Sequence, residues 1–201
     1  FNARPVFVQN SGVVEVTASF NLSEGGGAVS RADLTGGILR STSLSDVAFS
    51  IGYLGEATLS LSGNAVVDVK RETLLAAFFG SKGRLNLDGG TLIAQNIRKG
   101  GGNEAKIRFN GGVFRPRTAG QTLGGLTAAY VSTNGVRIDT SLADYTVAQN
   151  LLTDPDLGGA TDGGLVKLGN NTLSVTGTNT FTGAMDVRAG LLRATVSSTN
   201  D

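Results

Sequence analysis

The chain has 201 residues, of which 40% are hydrophobic and 16% charged, a balance that excludes a disordered tail. Its 17 Lys and Arg against 16 Asp and Glu leave a formal net charge of +1, so there is no electrostatic field to recruit nucleic acid or an anionic membrane. With no Cys and no His it cannot build a disulfide framework, a thiol nucleophile, a His general base or a Cys/His zinc site.

The longest apolar run, Leu74 to Phe79, falls far short of the ~20 residues that a membrane helix needs, so no membrane insertion is expected. Glycine, at 30 of 201 residues, is about twice its usual ~7% share. Only three prolines accompany it, and no short collagen-type unit repeats, so the glycines mark many corners. Phe1-Asn2-Ala3-Arg4 shows neither an initiator Met nor a signal peptide, so a processed or trimmed product of a longer precursor is expected.

In chain order, Val6–Gln9 and Val13–Phe20 read as strands separated by Asn10-Ser11-Gly12, with Glu15 and Thr17 alternating against Val14, Val16 and Ala18. Gly25-Gly26-Gly27 is a turn. Leu34-Thr35-Gly36-Gly37-Ile38-Leu39-Arg40 is the first strand-corner-strand unit, and residues 57–69 hold the second around Gly63-Asn64. The third and fourth are the clearest: Gly83 to Ala94, then Ala105 to Pro116. In both, apolar residues recur at period two (Leu85, Leu87, Leu92, Ala94; Ile107, Phe109, Phe114) about a Gly-Gly corner, so that one face of each strand is apolar. A looser unit spans residues 129–138.

The corner glycines Gly36, Gly63, Gly89, Gly111 and Gly135 are spaced by 27, 26, 22 and 24 residues. A near-constant period without helical segments predicts an all-β parallel β-helix, a β-solenoid with about 22–27 residues per coil. The alternative is an antiparallel sandwich, because Asn110-Gly111 and Asn134-Gly135 also suit hairpin turns. The whole chain, 1–201, is expected to form one domain. Residues 1–30 form an N-terminal cap or edge-pairing segment, 31–145 the corner coils, 146–163 a loop-rich insertion and 196–201 a tail.

Residues 164–195 carry a resemblance. Gly164-Leu165-Val166-Lys167-Leu168-Gly169 and the following Thr172-Leu173-Ser174-Val175-Thr176-Gly177, Asn179-Thr180-Phe181-Thr182-Gly183 and Ala189-Gly190-Leu191-Leu192-Arg193-Ala194 are similar to the autotransporter-associated β-strand repeat. Departures are Asn170-Asn171 in place of a common Gly, Phe181 for Tyr, Met185 for Thr and Leu191 for Thr. The resemblance implies a right-handed parallel β-helix in a secreted or surface-exposed bacterial protein, a setting that also suits a chain without cysteine. Relatives of that kind often carry a C-terminal anchor, and none is expected within 196–201.

Candidate chemistry is sparse. Asp154, Asp156 and Asp162 share one loop, with Asp139 and Asp144 near in sequence. A solvated loop is the expected reading, and a calcium site and a catalytic carboxylate pair are the alternatives. Gly100-Gly101-Gly102 after Arg98-Lys99 lacks the P-loop spacing and is expected to be a turn, as is Lys70-Arg71-Glu72. Arg115, Arg117, Arg137, Arg188 and Arg193 interleave with apolar residues and are expected on outward faces, with a glycan-binding stripe as the alternative.

No catalytic, cofactor-binding or metal residue is therefore assigned, and no cofactor is expected. Self-association is expected through Val6, Phe7, Val8, Val14, Val16, Phe78 and Phe79, because the end coils of a solenoid leave strand edges open. The function expected is a non-enzymatic extracellular structural protein. It would be a rigid solenoid stacking end to end on itself or on further repeats, or an adhesin with a cell-surface glycan as partner. The alternative is a carbohydrate-active β-helix enzyme, a polysaccharide lyase or hydrolase.

Overall fold

A strand with one apolar face must bury that face, and short strands joined by tight glycine corners can do so by winding around a common axis. The computed structural model describes residues 4–195; Phe1-Asn2-Ala3 and the tail expected at 196–201 lie outside them. The first coil is β1 (Val6–Gln9), β2 (Val13–Val16) and β3 (Phe20–Leu22). The second is β4 (Val29–Leu34), β5 (Ile38–Ser41) and β6 (Phe49–Ile51), and the third β7 (Glu56–Leu61), β8 (Val66–Val69) and β9 (Thr73–Leu75). The fourth is β10 (Lys82–Leu87), β11 (Thr91–Ala94) and β12 (Ile97–Lys99), and the fifth β13 (Glu104–Phe109), β14 (Val113–Pro116) and β15 (Thr122–Leu123). The sixth is β16 (Ala128–Val131), β17 (Val136–Asp139) and β18 (Tyr145–Val147). The seventh is β19 (Leu151–Thr153), β20 (Leu165–Leu168) and β21 (Thr172–Val175), and β22 (Met185–Val187) and β23 (Leu191–Ala194) begin an eighth.

Each strand pairs with its equivalent in the next coil, and every pairing is parallel. The protein is a parallel β-solenoid, and the antiparallel sandwich is excluded. One face is a seven-stranded sheet from β1 to β19, the second an eight-stranded sheet from β2 to β22. The third is split into two four-stranded sheets, β3-β6-β9-β12 and β15-β18-β21-β23.

Because registers do not slip, inward residues form columns along the axis. On the first face Ala32, Leu59, Leu85, Ile107 and Ala129 stand in register, and on the second Leu39, Val67, Leu92, Phe114 and Ile138. All ten are fully buried. Each buried Leu, Ile or Phe contributes roughly 1.5–3 kcal/mol relative to exposure.

The Asn-Gly corners that suit hairpins are instead stacked. Asn110 Oδ1 accepts from both the amide and the side-chain Nδ2 of Asn134, each at 3.0 Å, while Asn110 Nδ2 donates to Asp88 Oδ1 at 3.0 Å. Such a polar ladder links three successive coils. Residues 146–163 hold the end of β18 and all of β19, which pairs with β16, before the turn at Pro155–Leu157. Leu151 is drawn into the wall because it continues the buried column of Ala129.

At the break in the third face, Asn96 does what a strand pair does elsewhere. Its Nδ2 donates to the Thr122 carbonyl at 3.0 Å, its backbone carbonyl accepts from the Thr73 amide at 2.9 Å, and its Oδ1 accepts from the Tyr145 hydroxyl at 2.5 Å. Burial, and then the charge of Glu72, raises the Tyr145 phenol far above its ordinary value.

Candidate functional surface

The seven residues expected to mediate self-association do not form one patch. Val6 (62% exposed) and Val8 (59%) lie on the outer face of β1, whereas Phe7, Val14 and Val16 turn inward and pack half-buried on the core with Phe20. Phe20 extends the aromatic contact to Phe7 (centroids 5.6 Å) and Phe49 (5.2 Å). Their inner faces stay half-open because, among the described residues, no coil precedes β1 and β2. Phe78 and Phe79 sit two coils on, in the turn after β9: Phe78 rests edge-on against Tyr53 at 4.9 Å, and Phe79 is 89% exposed. Leu74 and Leu75, and the two alanines after them, are buried, so the apolar run divides into a core half and a surface half.

The aspartates that lie close in the sequence take different hydrogen-bond partners. Asp162 is a staple between coils: its carboxylate accepts from the amides of Gly164 (2.9 Å), Thr182 (2.8 Å) and Gly183 (2.9 Å) and from the Thr153 hydroxyl (2.7 Å). Burial alone opposes its ionisation. The Thr182 amide, the Thr153 hydroxyl and the two glycine amides outweigh burial and hold the carboxyl below its ordinary value. Asp154 caps the Pro155–Leu157 turn by accepting from the Asp156 amide at 3.1 Å, while Asp156 is exposed. Asp139 is likewise lowered: burial is overcome by Ser141 and by Arg115, whose Nε donates to Oδ2 at 2.8 Å. Asp144 accepts from the Thr172 amide at 2.6 Å. Among the described residues, no three His, Cys, Asp or Glu side chains converge to hold a metal ion.

The three glycines after Lys99 form no phosphate cradle, since their amides donate to the carbonyls of Leu75, Ala77 and Ala76 in the preceding coil. The arginines do lie outward, two of the five in ion pairs across coils, Arg115 with Asp139 and Arg117 with Asp68, and Arg188 paired with Asp186 within β22 and its turn. On the first face Arg84 bridges Glu56 (2.8 Å) in the coil before and Glu104 (2.9 Å) in the coil after. Lys106 adds a 2.8 Å contact to Glu104 and, with Arg84, lowers that carboxyl although burial raises it. Single exposed pairs of this kind are worth about 0–1 kcal/mol, but Arg84 fastens three coils at once.

Lys167 escaped assignment from sequence. It stands in register with Ile138 in the buried second-face column and is fully buried. Its ammonium donates to the carbonyls of Leu168 (3.0 Å), Gly169 (2.6 Å) and Ala189 (2.9 Å). Burial lowers its pKa, and the charges of Asp139 and Asp144 offset that only in part. The signal was the alternation itself: Lys167 shares parity with inward Leu165, so it had to point into the core.

The fold defines the protein as a parallel β-solenoid whose polar groups are organised coil to coil. No family model, curated protein or solved structure matches the chain.

Proposed function

We propose that the chain is a stiff structural module of a secreted or surface-exposed bacterial protein, a spacer or adhesive passenger that works by holding its ends apart. The observation that carries this is the coil-to-coil use of its charged groups: Asp162, Asp139, Glu104 and Arg84 each tie neighbouring coils. Such a column resists bending and offers a protease few loose loops. The likeness of residues 164–195 to the autotransporter-associated repeat supports the extracellular setting.

End-to-end growth belongs to the same proposal. Hollows of about 410 Å³ beside Phe7 and Leu22, and of about 330 Å³ beside Val175 and Phe181, mark the two ends, where core side chains are half-covered. Further coils, from the same polypeptide or from a second copy, would extend every sheet by strand addition. A head-to-tail contact that does not close grows into a fibre.

Negative-stain imaging with sedimentation across a concentration series tests this. Straight rods one solenoid wide, lengthening with concentration at about 4.8 Å per coil, are expected, together with no product from uronic-acid polymers. Depolymerisation of such a polymer, abolished by Asp154→Ala or Asp156→Ala, would instead establish the lyase or hydrolase reading.

A further inference from the structure

On the outer side of the second face, where β5, β8, β11 and β14 end, lies a cavity of about 310 Å³ that no local pattern in the chain announces. Four cations line it, Arg40, Lys70, Arg71 and Arg117, against one carboxylate, Asp68. They come from three coils, because the residues after each strand stack in register: the Lys70 amide donates to Ser41 and the Arg117 amide to Ala94.

The cavity is walled by an insertion. The second-to-third-face connection is three residues in the first and third coils (17–19 and 70–72) and two in the fourth (95–96), but seven in the second (42–48). That longer loop brings Leu44, 64% exposed, to the cavity as its apolar wall. Arg71 pairs with Asp46 of the loop and fixes the wall to the next coil.

Three carboxylates, Asp68, Glu15 and Asp46, stand against the four cations, so one positive charge is left over. Asp68 is shared between Arg40 (3.4 Å) and Arg117, and Glu15 lies 3.7 Å from Arg40 at the rim. The Nε atoms of Arg71 and Arg117 are buried without a hydrogen-bond partner, and exposed Lys70 makes no ion pair among the described residues. An exposed, unpaired Lys70 ammonium beside the Arg117 guanidinium and an apolar wall suits a planar or tetrahedral oxyanion carried on a compact carbon framework. A volume of 310 Å³ is at the lower end for small-ligand pockets and is large enough for one sugar ring.

We infer that this cavity is a binding site for an oxyanion-bearing sugar residue, its carboxylate or sulfate held between Lys70 and Arg117 and its ring against Leu44. The inference does not depend on polymerisation, since the site is complete within one chain.

Calorimetric titration of the full chain at low ionic strength tests it with four probes: a uronic-acid oligosaccharide, a sulfated oligosaccharide, a neutral oligosaccharide of equal length and inorganic sulfate. Saturable binding of one or both acidic sugars, with the neutral one silent, is expected, and which of the two binds tells carboxylate from sulfate. Lys70→Gln, on an exposed side chain without structural bonds, should weaken the acidic sugar about tenfold, and Leu44→Asp should weaken it further. Lys106→Gln, on the first face, should leave it unchanged. Binding of inorganic sulfate alone, equal binding of the neutral sugar, or affinity unmoved by Lys70→Gln and Leu44→Asp would overturn the inference.

Discussion

Gly37 faces the carbonyl of Gly12 so closely that a Cβ on Gly37 would stand 2.5 Å from that oxygen. Gly12 has nearly the same backbone, φ +74° against +77°, yet a Cβ there would meet nothing within 4 Å. The two corners are equivalent in successive coils, and the only difference is whether a coil lies beneath. Both substitutions to Ala carry the left-handed penalty of about 1–2 kcal/mol. Only Gly37→Ala also collides with backbone, so its loss should exceed that of Gly12→Ala by at least about 2 kcal/mol, read from denaturant midpoints. Equal losses would mean that the corners are not stacked as described.

Removing the charge from the Asp162 staple tests coil-to-coil fastening. Asp162→Asn keeps the shape but replaces one accepting oxygen by a donor that faces either the Gly164 and Gly183 amides or the Thr182 amide and the Thr153 hydroxyl. A loss of about 2 kcal/mol is expected at neutral pH. Because the folded carboxyl titrates below the unfolded value of about 3.9, its contribution is complete above that pH and disappears as pH falls through the folded value. The difference between wild type and Asp162→Asn should therefore shrink under acid. A difference constant down to the acid transition would contradict the assigned bonds.

Lys167→Met should destabilise despite replacing a buried charge by an apolar chain. It deprives the carbonyls of Leu168, Gly169 and Ala189 of a shared donor, at a cost of about 2–3 kcal/mol. Amide exchange should quicken first around β20 and the turn after β22 that holds Ala189, which that ammonium joins. Unchanged exchange there would show that the carbonyls find other partners.

Tyr145→Phe isolates the break in the third face. It leaves Asn96 Oδ1 without its phenolic donor and should cost about 1–2 kcal/mol. In the wild-type protein the Tyr145 phenol is raised by burial, so its phenolate absorbance should emerge only together with alkaline unfolding. A wild-type-minus-variant signal that titrates while the protein is still folded would place Tyr145 at the surface.

The parallel solenoid was legible because its cause is local and periodic. Leu85, Leu87, Ile107, Phe109 and Phe114 each disclose an inward face at period two, and the glycine corners disclose the repeat that stacks those faces. Lys167 was missed, although the same parity, shared with inward Leu165, was there to be read. What the sequence could not determine is which distant polar groups meet. Arg117 reaches Asp68 across 49 residues, and Tyr145 reaches Asn96 across the same separation, so neither pair shares a local pattern. The aspartates at 154, 156 and 162 are neighbours in the chain yet face different partners, while the cations at 40, 70, 71 and 117 are scattered in the chain yet line one cavity. Backbone alternation and corner chemistry act over a few residues and can be read along the chain; convergence of side chains depends on how many residues each coil inserts, and only the wound structure settles that count.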